Sequence, residues 1–312
     1  MKQLNLLLHH YPREIASSDI VGMRDRIRAL APDIAVSVLP TTRPHPMAMM
    51  ATLTRPTVSV ELGRAKYFRP MRGVTFQQWQ SDYKSRQYRV LEAADIPIPR
   101  WAPITQDAKF EVADWGDYVV VKPDYGVRGA YVRIRRTGRV RYRAPEELED
   151  DNPGKRGGLI AQRFIYSGRW PVSYRVSTLF GEPLAALRYQ GRGDLPPVDS
   201  RSGFRKASGA SIVATATGCA ISLAFDEDIL DLARRTHAAF PDIPVLGIDI
   251  VRDAEDGRLW VLETNPSGST WALGSKGGRR IMVENNIDLY TQFGALDRAA
   301  ESLVRLCRDL AA

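Results

Sequence analysis

The sequence predicts a small parallel α/β lobe over its first quarter, followed by a strand-rich α+β body. Three observations carry this. Residues 1–75 alternate short apolar runs with a stretch of helical spacing, as strands joined by helices do. Beyond them, apolar runs come in pairs joined by glycine-bearing turns, at 172–180 with 183–189 and at 247–251 with 258–263. The apolar runs are strand-sized, far short of the roughly 20 residues that span a bilayer, so no membrane partner is expected.

Residues 4–8 read as the first strand, not as a signal peptide, because no cleavage site of small residues follows them. Ser17 or Ser18 can cap a helix carrying Ile20, Met23, Ile27 and Leu30 at helical spacing. Residues 34–39 and 56–62 are further strands, and 41–50, with Pro44 and Pro46, is expected to be a loop. Residues 77–94 have helical periodicity and stop at Ile96-Pro97-Ile98-Pro99, which cannot continue a helix. A buried strand at 118–122 leads through a glycine-bearing turn to a strand at 131–135. The paired strands 172–180 and 183–189 join at Gly181-Glu182. Residues 226–240 form a helix with Asp226 at its N-cap, and a last helix spans about 296–310.

Of the 312 residues, 44% are hydrophobic and 26% charged, the balance of a folded globular chain. Two cysteines without a CxxC motif point to reduced thiols and a cytoplasmic setting, and four scattered histidines argue against a zinc site. The net charge of +8 suits either nucleic acid or anionic small substrates held in a positive cleft. The densest basic stretch, 128–143, alternates with Val132, Ile134, Val140 and Tyr142, as a strand with a solvated face would.

The most informative segment is Gly247-Ile-Asp-Ile-Val followed by Arg258-Leu-Trp-Val-Leu-Glu-Thr-Asn-Pro. Asp249 stands inside an apolar strand, where a carboxylate is costly unless something positive compensates it. Glu263 and Asn265, two apart, share one face of the next strand. Such hard oxygen donors suit Mg²⁺. Register decides whether they meet. A two-residue turn at Asp256-Gly257 would set Asp249 opposite Thr264, on the wrong face. A three-residue loop, Glu255-Asp256-Gly257 with Gly257 left-handed, sets it opposite Glu263, and this second arrangement is expected.

Lys122 ends a buried strand and precedes Gly126 and Gly129, whose backbone can approach an anion closely. No GK[ST] follows, so this is not a Walker A loop. The run 159–165, with Gln162, fits an adenine pocket or a plain core strand. Arg175, mid-strand, needs an anionic partner. Phe204-Arg205-Lys206 and Lys276-Gly-Gly-Arg279-Arg280 read as cationic loops able to hold a carboxylate, or as ordinary solvated loops.

Taken in order, the segments from about 82 to 267 resemble the ATP-grasp superfamily, in particular ribosomal-protein glutamate ligase and glutathione synthetase-like members. The matching residues are the helix led by Lys84, then Lys122 and the Gly126–Gly129 loop, Gln162 to Ile165, Ser173-Tyr-Arg175-Val, Phe204-Arg205, and Asp249, Glu263 and Asn265-Pro-Ser-Gly. The resemblance implies an α/β N-terminal lobe (1–76) followed by an α+β ATP-grasp fold whose two lobes (77–166 and 167–312) clasp a nucleotide. It implies that Lys84 and Lys122 contact phosphates, that Gly126 and Gly129 belong to a lid, and that Gln162, Phe164 and Ile165 line the adenine. Arg175 and Arg205 would act on the transferred group. Asp249, Glu263 and Asn265 would hold Mg²⁺, or Mn²⁺ in its place.

The implied activity is ATP-dependent joining of a carboxylate to an amine through an acylphosphate, releasing ADP and phosphate. The substrates would be small molecules, amino acids or peptides. A kinase on the same scaffold and a nucleotide-responsive binding protein without turnover are the alternatives. Nucleic-acid binding, suggested by the charge, is the least expected partner reading. Oligomeric state is left open.

Overall fold

The computed structural model describes residues 4–42, 45–62, 70, 72–78, 83–126, 130–191, 219–266 and 271–311. Among these, no helix is long and apolar enough to cross a membrane.

The first sheet is parallel, in the order β2-β1-β3-β4, from β1 (Leu4–His10), β2 (Ile34–Pro40), β3 (Thr57–Glu61) and β4 (Gly73–Phe76). Leu6 and Leu8 of β1 bury against Ile20, Met23 and Ile27 of α1 (Ser17–Leu30); Leu30, the fourth residue of the helical spacing, is exposed at the helix end. Its N-cap is Ala16. Ser17 instead takes the first helical position, and its hydroxyl pairs with His10 Nε2 at 3.0 Å. A second helix, α2 (Pro46–Thr54), occupies most of the expected loop at 41–50. Pro46 lies at its first turn, where a missing N–H costs nothing, so this proline starts a helix instead of breaking one.

The second sheet has the order β5-β8-β6-β7, from β5 (Trp101–Pro103), β6 (Tyr118–Pro123), β7 (Arg133–Arg136) and β8 (Leu159–Arg163). Around it lie α3 (Lys84–Ala93) and the short α4 (Val112–Trp115) and α5 (Gly154–Gly157). The helix expected from 77 begins at Lys84. Asp124, beyond the end of β6, accepts from the Ser85 amide and hydroxyl at 2.7 Å each, and its carbonyl accepts from the Lys84 amide at 2.9 Å. This cap comes from a distant part of the chain, so local periodicity could not place it.

The third sheet is antiparallel, β11-β10-β9-β12-β13, from β9 (Val172–Leu179), β10 (Glu182–Gly191), β11 (Cys219–Leu223), β12 (Val245–Arg252) and β13 (Leu259–Asn265). Phe180 and Gly181, with φ of 46° and 84°, make the β9–β10 turn, one residue earlier than expected. Three helices follow or flank this sheet: α6 (Glu227–Ala238), N-capped at Asp226 as expected, α7 (Lys276–Asn285) and α8 (Ala295–Asp309). The cationic run 276–280, expected to be a loop, is the start of α7. Ser275 caps it by accepting from the Gly278 amide at 3.0 Å, and Gly278 sits so close to the main chain of Ala272 that a Cβ would lie 1.5 Å from its carbonyl oxygen.

Two cores tie the sheets together. One joins the first sheet and α1 to β9, β10, β11, Trp271 and α8. The other packs Tyr88 and Leu91 of α3 and Ile160 of β8 against Val176, Ile248, Ile250 and Val261 of the third sheet and the apolar face of α6. Helix α3 therefore wedges between the second and third sheets, which sets their polar residues facing each other. Cys219 and Cys307 are both buried.

Candidate active site

The β12–β13 hairpin places its acids by an unexpected route. Its loop is the four residues 254–257, closed by the Gly257 amide donating to Asp253 O at 2.9 Å and the Asp253 amide to Arg258 O at 2.8 Å. Gly257 is left-handed, with φ of 76°, as expected, but the loop is one residue longer than the expected three. Near the turn, Arg252 pairs with Leu259 and Ile250 with Val261; past a bulge at Leu262, Asp249 faces Glu263 and Gly247 faces Asn265. The expected Asp249–Glu263 pairing is present, produced by a bulge and not by the loop. The freed carbonyl of Leu262 accepts from the Tyr88 hydroxyl at 2.9 Å and from Gln162 Nε2 at 3.4 Å. The second-sheet side thus holds the bulge in place.

Arg175 on β9 lies opposite Asp249 in register. Its Nε and NH2 groups reach the two Asp249 oxygens at 2.7 and 2.6 Å, a bidentate pair. Asn265 Nδ2 donates to Asp249 Oδ2 at 3.1 Å. The Asp249 carboxylate raises the Arg175 pKa further above its ordinary value. The Arg175 side chain is still 46% exposed, so the pair can meet a ligand. Glu263 is 3.7 Å from Lys84 Nζ.

From the facing side come Lys122 and Lys84. Lys122, 4% exposed, donates to Gln162 Oε1 at 2.9 Å and sits 5.4 Å from the Tyr88 ring centroid. Burial pulls its pKa down to about 8; Glu263, Asp249 and Asp124 work against that shift, and Lys84 works with it. A buried ammonium held this way gains from an anion beside it. Lys84 Nζ donates to Gly126 O at 2.8 Å, joining the start of α3 to the glycine loop.

The structure brings together Lys84, Lys122, Gly126, Gln162, Arg175, Asp249, Glu263 and Asn265. Phe164 and Ile165 follow the end of β8, Ile165 buried and Phe164 half-buried, with the Phe164 amide donating to Tyr118 O at 3.4 Å. Gly129 and Arg205 lie outside the described residues. Sequence reasoning missed Asp124, Tyr88 and the Gln87–Thr264 bond (2.9 Å), all of which join α3 to its neighbours. No periodicity marks such contacts. The nearest signal was Asp124 itself, an acid two residues past a buried strand lysine.

Among the described residues, no three His, Cys, Asp or Glu side chains group closely enough to hold a metal. The donor set on offer is therefore two carboxylates and the Asn265 amide. It fits Mg²⁺, which takes one or two carboxylates and fills its shell with phosphate and water oxygens.

The chain has an ATP-grasp fold, shared with solved structures over nearly its whole length. Among solved structures the chain is similar to the D-cycloserine synthetase DcsG, at 16% identity over 97% of this chain and 99% of that one, with a TM-score of 0.51. It is similar to the macrocyclase MdnC from Microcystis aeruginosa MRC, bound with precursor peptide MdnA, at 12% identity over 96% and 99% with a TM-score of 0.51. It is also similar to the ATP-grasp ligase PsnB complexed with minimal precursor, at 15% identity over 98% and 99% with a TM-score of 0.50. No family model and no curated protein sequence matches the chain.

Proposed function

We propose that this protein is an ATP-dependent ligase joining a carboxylate to an amine, with ADP and phosphate as products. The observation that carries the reading is the convergence of Lys84 and Lys122 from one side on Arg175, Asp249, Glu263 and Asn265 from the other. Two lysines and an arginine make a cradle for phosphate oxygens, and the acids and amide make a seat for a divalent ion.

In this reading the lobes bounded near residues 76 and 166 close on the nucleotide. Lys84 and Lys122 bind its phosphates. Gln162, Phe164 and Ile165 border its base. Asp249, Glu263 and Asn265 hold Mg²⁺, which supplies neutralisation of phosphate charge; Mn²⁺ would serve the same donors. A substrate carboxylate attacks the γ-phosphorus, ADP leaves, and an amine then displaces phosphate from the acylphosphate. Arg175 and Arg205 balance the charge that develops on the transferred group. The Gly126–Gly129 loop, tied to Lys84 through Gly126, excludes water that would hydrolyse the acylphosphate. The acid and amine are small molecules, amino acids or peptides, and the setting is cytoplasmic.

The test is ADP and phosphate release from Mg-ATP with a pooled set of amino acids and small carboxylates, with and without added amines. Release of both products on adding an amine supports the ligase. ADP without phosphate identifies a kinase, and nucleotide binding without ADP identifies a binding protein. Glu263→Ala should abolish turnover and leave the fold intact; unchanged activity would remove the metal assignment.

A further inference from the structure

We propose that the outer face of the second sheet is a docking groove for an extended, acidic peptide segment. The inference does not rest on the ligase reading, since docking needs neither ATP nor turnover.

From Arg133 onward, the basic stretch that reads in sequence as a solvated strand face is folded back on itself. Arg133 and Arg135 share a face of the sheet with Val121 and Val119, their register partners. After β7 a single helical turn, Thr137–Arg139, reverses the chain and brings Arg139, Arg141 and Arg143 to the same place. The five arginines line a groove of about 280 Å³. Its floor is apolar, formed by Ile104, Val121, Val140, Leu148 and Leu159. Glu149 is the one acid in its lining, placed 3.6 Å from Arg133 and 3.9 Å from Arg143. Among the described residues, Arg135, Arg139 and Arg141 have no carboxylate within ion-pair distance. Like charges gathered over an apolar floor repel one another, and an anion with apolar parts relieves both features.

Two observations favour a peptide over nucleic acid. The lining has one aromatic ring, Tyr131, and it is engaged: its hydroxyl bonds Asp151, and the Arg133 guanidinium lies 5.9 Å from its centroid. No open ring is left there for a base to stack on. Further, β7 is an edge strand, pairing only with β6 among the described residues. An extended peptide can add to such an edge, with alternate side chains reaching opposite sides. A segment with acids at alternate positions would turn them all to the outer face, toward the arginines, and its other residues to the opposite face of the sheet. Strands without acids are turned away by the same charge. Val121 and Lys122 are neighbours on β6 with opposite facing, so the acids of a docked segment lie on the far side of the sheet from the lysine centre.

The experiment is fluorescence anisotropy with a labelled 12-residue peptide alternating Glu and Val, on the full chain without nucleotide. The same-length Lys/Val peptide and a 12-nucleotide polyuridylate serve as comparisons. The acidic peptide should bind saturably, and Arg139→Glu with Arg141→Glu should weaken it at least tenfold. The milder Arg139→Gln with Arg141→Gln should weaken it in the same direction. Arg235→Glu, an exposed charge change on α6, should leave it unchanged. Thermal melts confirm that each variant is folded. Saturable binding that the groove variants do not alter, or no binding of the acidic peptide at micromolar protein, overturns the proposal. So does tighter binding of the polyuridylate that the same variants abolish.

Discussion

Arg175 grips both carboxylate oxygens of Asp249, at 2.7 and 2.6 Å, across adjacent strands of one sheet. A carboxylate on an apolar strand is tolerated there because a planar guanidinium matches it in shape and charge. Asn265 Nδ2 takes a second place on Asp249 Oδ2, and Oδ1 keeps capacity for a further contact.

Replacing Arg175 with Met should lower ADP release by about 10²–10³-fold, the usual cost of removing one donor to developing charge. Arg175→Lys should recover little, since a point charge cannot reproduce a two-pronged grip. Steady-state ADP assays, with circular dichroism to confirm folding, check this.

Tyr88→Phe removes the hydroxyl that holds the Leu262 carbonyl and leaves Gln162 at 3.4 Å as its remaining donor. The expected cost is about 1–2 kcal/mol of stability. Because that bulge sets Asp249 opposite Glu263, the variant should also need more Mg²⁺ for half-maximal ADP release. Urea unfolding and a Mg²⁺ titration read the two effects separately.

Asp19 is buried in α1 and accepts from Trp271 Nε1 at 2.7 Å, the Gly274 amide at 2.8 Å and the Tyr290 hydroxyl at 2.8 Å. These bonds tie the first lobe to the chain after β13. Asp19→Ala would strand several buried donors and should cost about 3 kcal/mol. Denaturant midpoints measure it, with Asp19→Asn expected to fall between the two.

Stability should decline in mild acid. His237, buried on α6, lies 2.6 Å from Thr178 Oγ1 and 2.9 Å from Ile243 O, and burial pulls its pKa to about 4. Burial, with His45 and His10 nearby, does the same for His9. In the unfolded chain both titrate near 6.5, so below that pH the unfolded state binds protons that the fold refuses. Stability is therefore full above about 6.5 and falls until about 4, by about 3 kcal/mol for His237. Unfolding midpoints at several pH values, with His237→Gln showing a shallower slope, test this.

Much of the chemistry was legible along the chain. An aspartate among isoleucines, a Glu and an Asn two apart, and a lysine ending a valine run each announce themselves, because strand alternation and the cost of burying charge are local rules. Pro46 at the first turn of α2 and the glycines opening α7 were expected in loops, yet both residue types also start helices when a cap or a close main-chain contact favours it.

By itself the sequence determined which side chains bear charge, which runs become strands, and that Asp249, Glu263 and Asn265 belong to one hairpin. The tertiary structure decided how they meet: through a bulge at Leu262 anchored by Tyr88, a helix begun at Lys84 by distant Asp124, and arginines turned from a solvated stripe into one groove. The reason is physical. Periodicity reports each residue's nearest neighbours along the chain, whereas caps, bulges and converging charges depend on partners tens of residues away, which meet only after the sheets have packed.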